Sequence, residues 1–115
     1  MERTYTPLDR LIAAIDQGLR LSTSETPAAS RPNPAVGVEP PELDESTREH
    51  VAGLMRINHT GEICAQALYA GKAVTARSAE VKAEMEQASA EEIDHLSWCS
   101  DRLEQLDSRP SLLNP

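Results

Sequence analysis

The feature that most constrains the fold is a pair of long stretches, 46–77 and 78–106, in which apolar residues recur at helical spacing. Steps of three and four residues place side chains on one face of an α-helix. The first stretch has such a stripe at Val51, Met55, Asn58, Glu62, Ala65, Tyr69 and Ala73. The second has one at Val81, Met85, Ala88, Glu92, His95, Cys99, Leu103 and Leu106. A tight turn at "ARSAE" between them predicts an antiparallel helical hairpin.

Local signals indicate where these two helices begin and end. Ser46, followed three residues later by Glu49, has the pattern of a capping box, in which each side chain accepts from the other residue's backbone N–H. Ser46 is therefore the predicted start of the first helix. The second helix is predicted to end at Pro110, because proline cannot continue a helix.

The composition favours helices over sheets for the whole chain. Its 115 residues suffice for one domain with a modest core. Phe is absent, Trp98 is the single tryptophan, and the apolar residues are mainly Ala, Leu, Ile and Val. That selection suits close-packed helices better than a sheet rich in aromatic and β-branched residues. We therefore predict an all-α fold.

Three segments are predicted along the chain. Residues 46–115 form the hairpin, and residues 22–45 form a linker, since this stretch is rich in proline and has little periodicity. Residues 1–21 form an amphipathic helix that begins near Pro7, and we expect it to pack on a helical bundle rather than lie on a membrane surface. Its apolar stripe consists of Leu8, Leu11, Ile12, Ile15 and Leu19.

Charge and cysteine usage exclude several classes of function. A formal net charge of −8 with no basic cluster argues against a nucleic-acid partner and against electrostatic attraction to anionic membranes. Cys64 and Cys99 do not form a Cys-x-x-Cys pair, which is typical of reduced thiols in a cytosolic protein. Because no long apolar run or signal peptide is present, we expect a soluble or peripheral protein.

Ionisable residues interrupt both apolar stripes at corresponding heights. Glu62 lies on the inward face of the first helix, and Glu92 and His95 lie on that of the second. Each glutamate is about 15 residues from a turn near Arg77, so both lie roughly 22 Å along their helices at a rise of ~1.5 Å per residue. His95 follows Glu92 by three positions and shares its face. Two carboxylates and one imidazole are thus predicted to converge.

A buried carboxylate needs a compensating partner, and the two candidates are a metal ion and a structural ion pair. A Glu on one helix facing Glu-x-x-His on the next is the half-site that ferritin-like di-iron bundles repeat, so the spacing favours a metal. Glu62, Glu92 and His95 are the predicted ligands. His59, one turn before Glu62, is expected to orient that glutamate or to cap the polar rim instead.

The stretches "LMRINHTGEICAQALYAGKAV", "EEIDHLSW" and "RPSLLNP" resemble the demethoxyubiquinol hydroxylase family of ubiquinone biosynthesis. The resemblance runs from about Leu54 to Pro115. It implies a ferritin-like fold, of which this hairpin is one half of the four-helix bundle. It also implies a carboxylate-bridged di-iron centre that uses O2 to hydroxylate the ring of a prenylated quinol. The family resemblance places the protein peripherally at the cytoplasmic side of the cell membrane, with other ubiquinone-biosynthesis proteins as further partners.

The resemblance also implies a role for each ligand. Glu62 corresponds to a ligand of one iron, Glu92 to the carboxylate that bridges both irons, and His95 to the nitrogen ligand of the first. The family pattern continues with a second Glu and a second Glu-x-x-His, and neither follows here. We therefore expect a truncated chain that, as a monomer, offers half of a two-iron site.

Three functional hypotheses remain open from the sequence. The chain is the amino-terminal half of the quinol hydroxylase, or a homodimeric ferritin-like hairpin that binds and oxidises iron, or a non-enzymatic helical interaction module. Two copies of the hairpin would bring together two Glu and two Glu-x-x-His. A dependence of dimerisation on iron separates the second hypothesis from the others, and harmless substitution of Glu92 and His95 would favour the third.

Overall fold

The computed structural model describes residues 4–22 and 26–114 and contains three helices and no strand within those ranges. They are α1 (Pro7–Ser22), α2 (Glu45–Thr75) and α3 (Ala79–Gln105). The all-α prediction is confirmed. The predicted segments also include residues 1–3, 23–25 and 115, which lie outside the described residues.

Helices α2 and α3 pack against each other as the predicted antiparallel hairpin. The turn between them is short, because α2 ends at Thr75 and Ser78 already caps α3. The Ser78 hydroxyl accepts the backbone N–H of Val81 at 3.2 Å, which satisfies one of the free amide groups at the start of the helix. The two long helices therefore run side by side over most of their length.

The N-cap of α2 lies two residues before the predicted one. Asp44 is the N-cap, and its carboxylate accepts the backbone N–H of Thr47 at 2.8 Å. Ser46 is already helical, so the predicted capping box with Glu49 is wrong. Aspartate and serine are about equally good N-caps, and local sequence alone does not choose between Asp44 and Ser46.

The end of α3 is also earlier than predicted. The helix ends at Gln105 rather than at Pro110, because Asp107 adopts a left-handed conformation with φ 52°. The backbone N–H of Asp107 donates to the carbonyl of Glu104 at 3.0 Å, and that of Ser108 donates to Leu103 at 2.9 Å. This pair of bonds is a Schellman motif, which terminates helices without proline.

The buried face is shifted by about one residue from the predicted stripe midway along the hairpin, whereas Ala73, Leu103 and Leu106 are buried as predicted. In α2 the fully buried positions recur every seventh residue at Ala52, His59, Gln66 and Ala73, with Ile63 between them. They face Ser89, Leu96 and Leu103 of α3. The Gln66 side-chain amide and the Ser89 hydroxyl lie 3.4 Å apart in this interface. Glu62 and Glu92 consequently lie at the edge of the buried face rather than at its centre.

Helix α1 begins with a capping box of its own. The backbone N–H of Asp9 donates to the Thr6 hydroxyl at 3.2 Å, and the backbone N–H of Thr6 donates to Asp9 Oδ2 at 2.8 Å. The expected burial of its apolar stripe on a bundle is wrong for the described part of the chain, since every member of the stripe is more than half exposed. None of the described helices has the length and apolar character that crossing a membrane requires.

Candidate metal-binding site

The structure brings the three predicted ligands together midway along the hairpin. Glu62 extends from α2, and Glu92 and His95 extend from consecutive turns of α3. One ligand atom from each residue lies within 4.8 Å of the others. His95 Nδ1 is 3.0 Å from Glu92 Oε2 and 3.7 Å from Glu62 Oε2. These three residues form the single cluster of potential metal ligands in the described part of the chain.

The site is partly shielded from solvent but remains accessible. The side chains of Glu62 and Glu92 are 24% and 18% exposed, and that of His95 is 41% exposed. The position at the edge of the buried face explains this, because the helix interface covers one side of the site only. An ion could reach the three ligand atoms without unfolding of the hairpin.

The electrostatics of the site show two acids competing for one proton. Burial, followed by the hydrogen bond and the negative charge of Glu92, raises the pKa of Glu62 to about 7. The pKa of Glu92 is lowered, mainly by the hydrogen bond from Glu62 and also by His95. Without a cation the pair therefore retains a proton near neutral pH, with Glu62 as its carrier. A bound cation would displace that proton.

Two neighbouring residues lie outside the cluster. The pKa of the Cys99 thiol is raised by burial and by the charge of Glu62, so this sulfur stays protonated and is a poor metal ligand. His59 is only 4% exposed, and its pKa is lowered by burial. Its Nδ1 atom has no hydrogen-bond partner among the described residues. The expectation that His59 caps the polar rim is therefore wrong, because the residue lies in the helix interface.

Sequence reasoning missed a polar network on the opposite side of α3. Asp94, which is 2% exposed, accepts the backbone N–H of Ser30 at 2.7 Å and the Arg31 Nε–H at 2.7 Å. These bonds, that of Arg31 first, lower the pKa of Asp94 to about 2. An acidic residue beside His95 was a visible signal, but its partners lie more than 60 positions earlier in the sequence.

The chain is similar to one protein family and to several named proteins. The family described as ubiquinone biosynthesis protein COQ7 matches residues 49–115. A protein of Acinetobacter baylyi named 3-demethoxyubiquinol 3-hydroxylase is 59% identical over 98% of this chain and 53% of its own length. Proteins of the same name from Pseudomonas putida (strain W619) and Pseudomonas aeruginosa (strain LESB58) are 55% and 54% identical, each over 99% of this chain and 53% of their own length.

The matches to these relatives cover 98–99% of this chain but only 53% of each relative. The chain spans about half the length of the curated relatives it matches. No solved structure matches it. The match to the family nevertheless includes most of α2, all of α3 and the three clustered residues Glu62, Glu92 and His95. The resemblance noted in the sequence is thereby confirmed, and the chain belongs to the family of the ubiquinone biosynthesis protein COQ7.

Proposed function

We propose that this chain provides one half of the di-iron site of a 3-demethoxyubiquinol 3-hydroxylase, an O2-dependent monooxygenase. The observation that carries the proposal is the convergence of Glu62, Glu92 and His95 within 4.8 Å across the hairpin. The shared name of relatives that are 54–59% identical supports the choice of reaction. A prenylated quinol is a membrane lipid, so the complete enzyme would work peripherally at the cytoplasmic side of the cell membrane.

The residues present fit iron. Two carboxylates and one imidazole are hard or borderline ligands that suit Fe(II) and Fe(III), whereas the neighbouring Cys99 thiol stays protonated. By the family resemblance, Glu62 and His95 would hold one iron, and Glu92 would be the carboxylate shared with a second iron. Bound iron would supply the electrons that O2 reduction requires.

The protein's own contribution is positional and electrostatic. Glu62 and Glu92 lie on different helices, so the hairpin must form before the two carboxylates can share a cation. His95 Nδ1 already faces both carboxylates and is separated from Glu92 Oε2 by 3.0 Å. The proton held by Glu62 leaves when the cation binds, which couples metal binding to pH.

A second candidate function is a homodimeric iron-binding hairpin. Large apolar side chains on the outside of the hairpin favour it, because Leu54, Ile57 and Leu68 are 51%, 70% and 56% exposed. Two hairpins that buried these surfaces together would also supply two sets of ligands. Under the third hypothesis, a helical interaction module without metal, Glu62 and Glu92 would serve only to fix the register of the two helices.

Iron binding tests all three hypotheses. The full chain is loaded with Fe(II) without oxygen, and iron per chain and mass in solution are measured for the wild type and for Glu92→Ala. Glu91→Ala is the matched control, because it removes a neighbouring glutamate that bonds Gln87 on the helix surface. Iron that is lost in Glu92→Ala and kept in Glu91→Ala supports the site.

The mass and an activity measurement then separate the hypotheses. About one iron per chain in a dimer would favour the homodimer. Hydroxylation of a demethoxyquinol that appears only when the remaining half of a relative is added would support the monooxygenase. No iron in any combination, with Glu92→Ala as stable as the wild type, would leave the interaction module as the correct hypothesis.

A further inference from the structure

The segment 26–31, which we call the strap, lies along the side of α3 that faces away from Glu62. It is anchored on Asp94, which accepts from Ser30 and Arg31, while the hydroxyls of Thr26 and Ser100 lie 3.1 Å apart. Asp94 follows Glu92 by two positions, which rotates it by about 200° around the helix. A contact at Asp94 can therefore act on α3 from behind the metal-binding side.

Asp94 gives the strap a strong anchor. Its carboxylate is 2% exposed and receives hydrogen bonds from the Ser30 backbone, the Ser30 hydroxyl and the Arg31 guanidinium. A buried carboxylate without such partners would be strongly unfavourable. Docking of the strap is thus required to compensate the charge that α3 carries beside His95.

The guanidinium of Arg31 also contacts an aromatic ring. Its Cζ atom lies 5.4 Å from the centre of the Trp98 ring, in the range of a cation–π interaction. The Trp98 indole N–H is buried and has no hydrogen-bond partner in the described part of the chain. The orientation of this ring therefore depends on contacts with its faces and edges rather than on a hydrogen bond.

Trp98 in turn contacts the proposed histidine ligand. The rings of His95 and Trp98 have their centres 5.5 Å apart and are tilted by 49°, a favourable aromatic arrangement. The hydrogen bond that His95 makes within the described residues runs from Nδ1 to Glu92. Metal-binding histidines usually have their ring fixed by a bond from the other nitrogen. The Trp98 ring is a contact through which the imidazole can be oriented instead.

We propose that Arg31 is a positioning residue for the metal site. Anchored on Asp94, its guanidinium holds the Trp98 ring, and that ring sets the orientation of the His95 imidazole toward Glu62 and Glu92. The inference rests on the proposed function, since His95 is one of the proposed ligands. The strap would then help to position a metal ligand, whereas the sequence predicts only a linker for this segment.

Co(II) binding by the full chain tests the proposal, with the metal alone as the probe. Arg31→Ala is expected to weaken Co(II) binding by about tenfold, as substitutions that disturb the orientation of a ligand commonly do. Arg31→Lys keeps a charge for Asp94 but lacks the flat guanidinium, so its affinity should lie between those of Arg31→Ala and the wild type. Arg10→Ala, which removes the same charge from an exposed site on α1, should bind as the wild type does.

The contact between the two rings supplies a readout that does not need metal. Nuclear Overhauser contacts between ring protons of Trp98 and His95 should be present in the metal-free wild type and weakened in Arg31→Ala. The single tryptophan makes these signals, and the near-ultraviolet dichroism of Trp98, unambiguous. If Arg31→Ala does not fold, Arg31→Lys provides the same comparison with the ion pair retained.

Each outcome decides the proposal. Unchanged Co(II) affinity, or ring contacts that persist in Arg31→Ala while its melting temperature falls, would overturn it, because Arg31 would then only stabilise the fold. Failure of the wild type to bind Co(II) would overturn the proposed metal site instead. The ring contacts would still show in that case whether Arg31 positions His95.

Discussion

At the scale of single residues, Glu62 is the carboxyl group of the proposed site whose charged form is disfavoured in the metal-free fold. Its folded-state pKa of about 7 lies above the ordinary value of 4.5, mainly because of burial and also because of Glu92. A carboxyl group whose pKa is raised on folding destabilises the metal-free fold as the pH rises from about 4.5 to about 7. Removing its charge should therefore help the fold and harm metal binding.

The first prediction is that Glu62→Gln stabilises the metal-free chain at pH 8 by on the order of 1 kcal/mol and abolishes Co(II) binding. Thermal unfolding and a Co(II) titration measure the two effects. Glu91→Gln, a neighbouring substitution outside the cluster, should change neither. A Glu62→Gln chain that is less stable than the wild type at pH 8 would contradict the assigned role of the carboxyl group.

The pH dependence of metal binding follows from the same proton. Below about pH 7 a cation must displace the proton of Glu62, so Co(II) affinity is expected to fall by about tenfold per pH unit on acidification and to level off above that pH. Titrations between pH 5.5 and 8.5 measure this slope. An affinity that is independent of pH over this range would show that metal binding does not release the proton of Glu62.

At the scale of helices, the structure distinguishes Asp44 from Ser46. From sequence alone, the two residues are equally good candidates for the N-cap of α2. Asp44→Ala removes the acceptor for the Thr47 N–H and should cost about 1 kcal/mol of folding free energy. Ser46→Ala removes a hydroxyl from a position already inside the helix and should cost less than about 0.5 kcal/mol. Urea unfolding of both variants measures the difference, and the opposite order would restore the capping box at Ser46.

At the end of α3, a substitution is expected to stabilise the chain rather than destabilise it. Asp107 has φ 52°, a conformation that glycine adopts without steric cost. Asp107→Gly should therefore raise the free energy of unfolding by about 0.5–1 kcal/mol. Asp101→Gly, in the interior of the same helix, should lower it by about 0.3 kcal/mol. A loss of stability in Asp107→Gly, measured by urea unfolding, would argue against the Schellman motif.

Helix periodicity was sufficient to predict the hairpin but not which face of α2 is buried. Apolar residues such as Leu54, Ile57 and Leu68 lie outside the predicted stripe, so α2 is apolar on more than one side. The choice of buried face depends on the shape of α3, where Ser89 permits close approach of Gln66. This fit between two surfaces is not encoded in the spacing of either helix alone.

The candidate site was predictable because it depends on helix geometry alone. Glu62 and Glu92 meet since equal numbers of residues separate them from the turn, and a constant rise turns that equality into equal height. The strap was not predictable in the same way. Its contact between Arg31 and Asp94 joins two segments that are distant in sequence, and the proline-rich part has no periodicity to indicate a partner.

At the scale of the whole molecule, large apolar side chains are left exposed on both α1 and α2. The outer face of α2 exposes Leu54, Ile57 and Leu68, and α1 leaves its apolar stripe more than half exposed. Monomeric soluble proteins rarely leave large contiguous apolar surfaces uncovered. The chain spans about half the length of its relatives. Two partners could therefore bury this apolar surface: the other half of a four-helix bundle, or a second copy of the chain.

The isolated chain is therefore expected to self-associate through the outer face of α2. Sedimentation over a wide concentration range should give a mass above the 12.6 kDa of one chain, and Ile57→Lys should shift it toward the monomer. Leu113→Lys alters a side chain that is 90% exposed in the carboxyl-terminal tail and should leave the association unchanged. A strictly monomeric wild type would mean that the hairpin tolerates this surface in water, and would argue against the homodimer as the iron-binding form. Association that is equal in Ile57→Lys and the wild type would place the contact elsewhere, with the apolar stripe of α1 as the surface to substitute next.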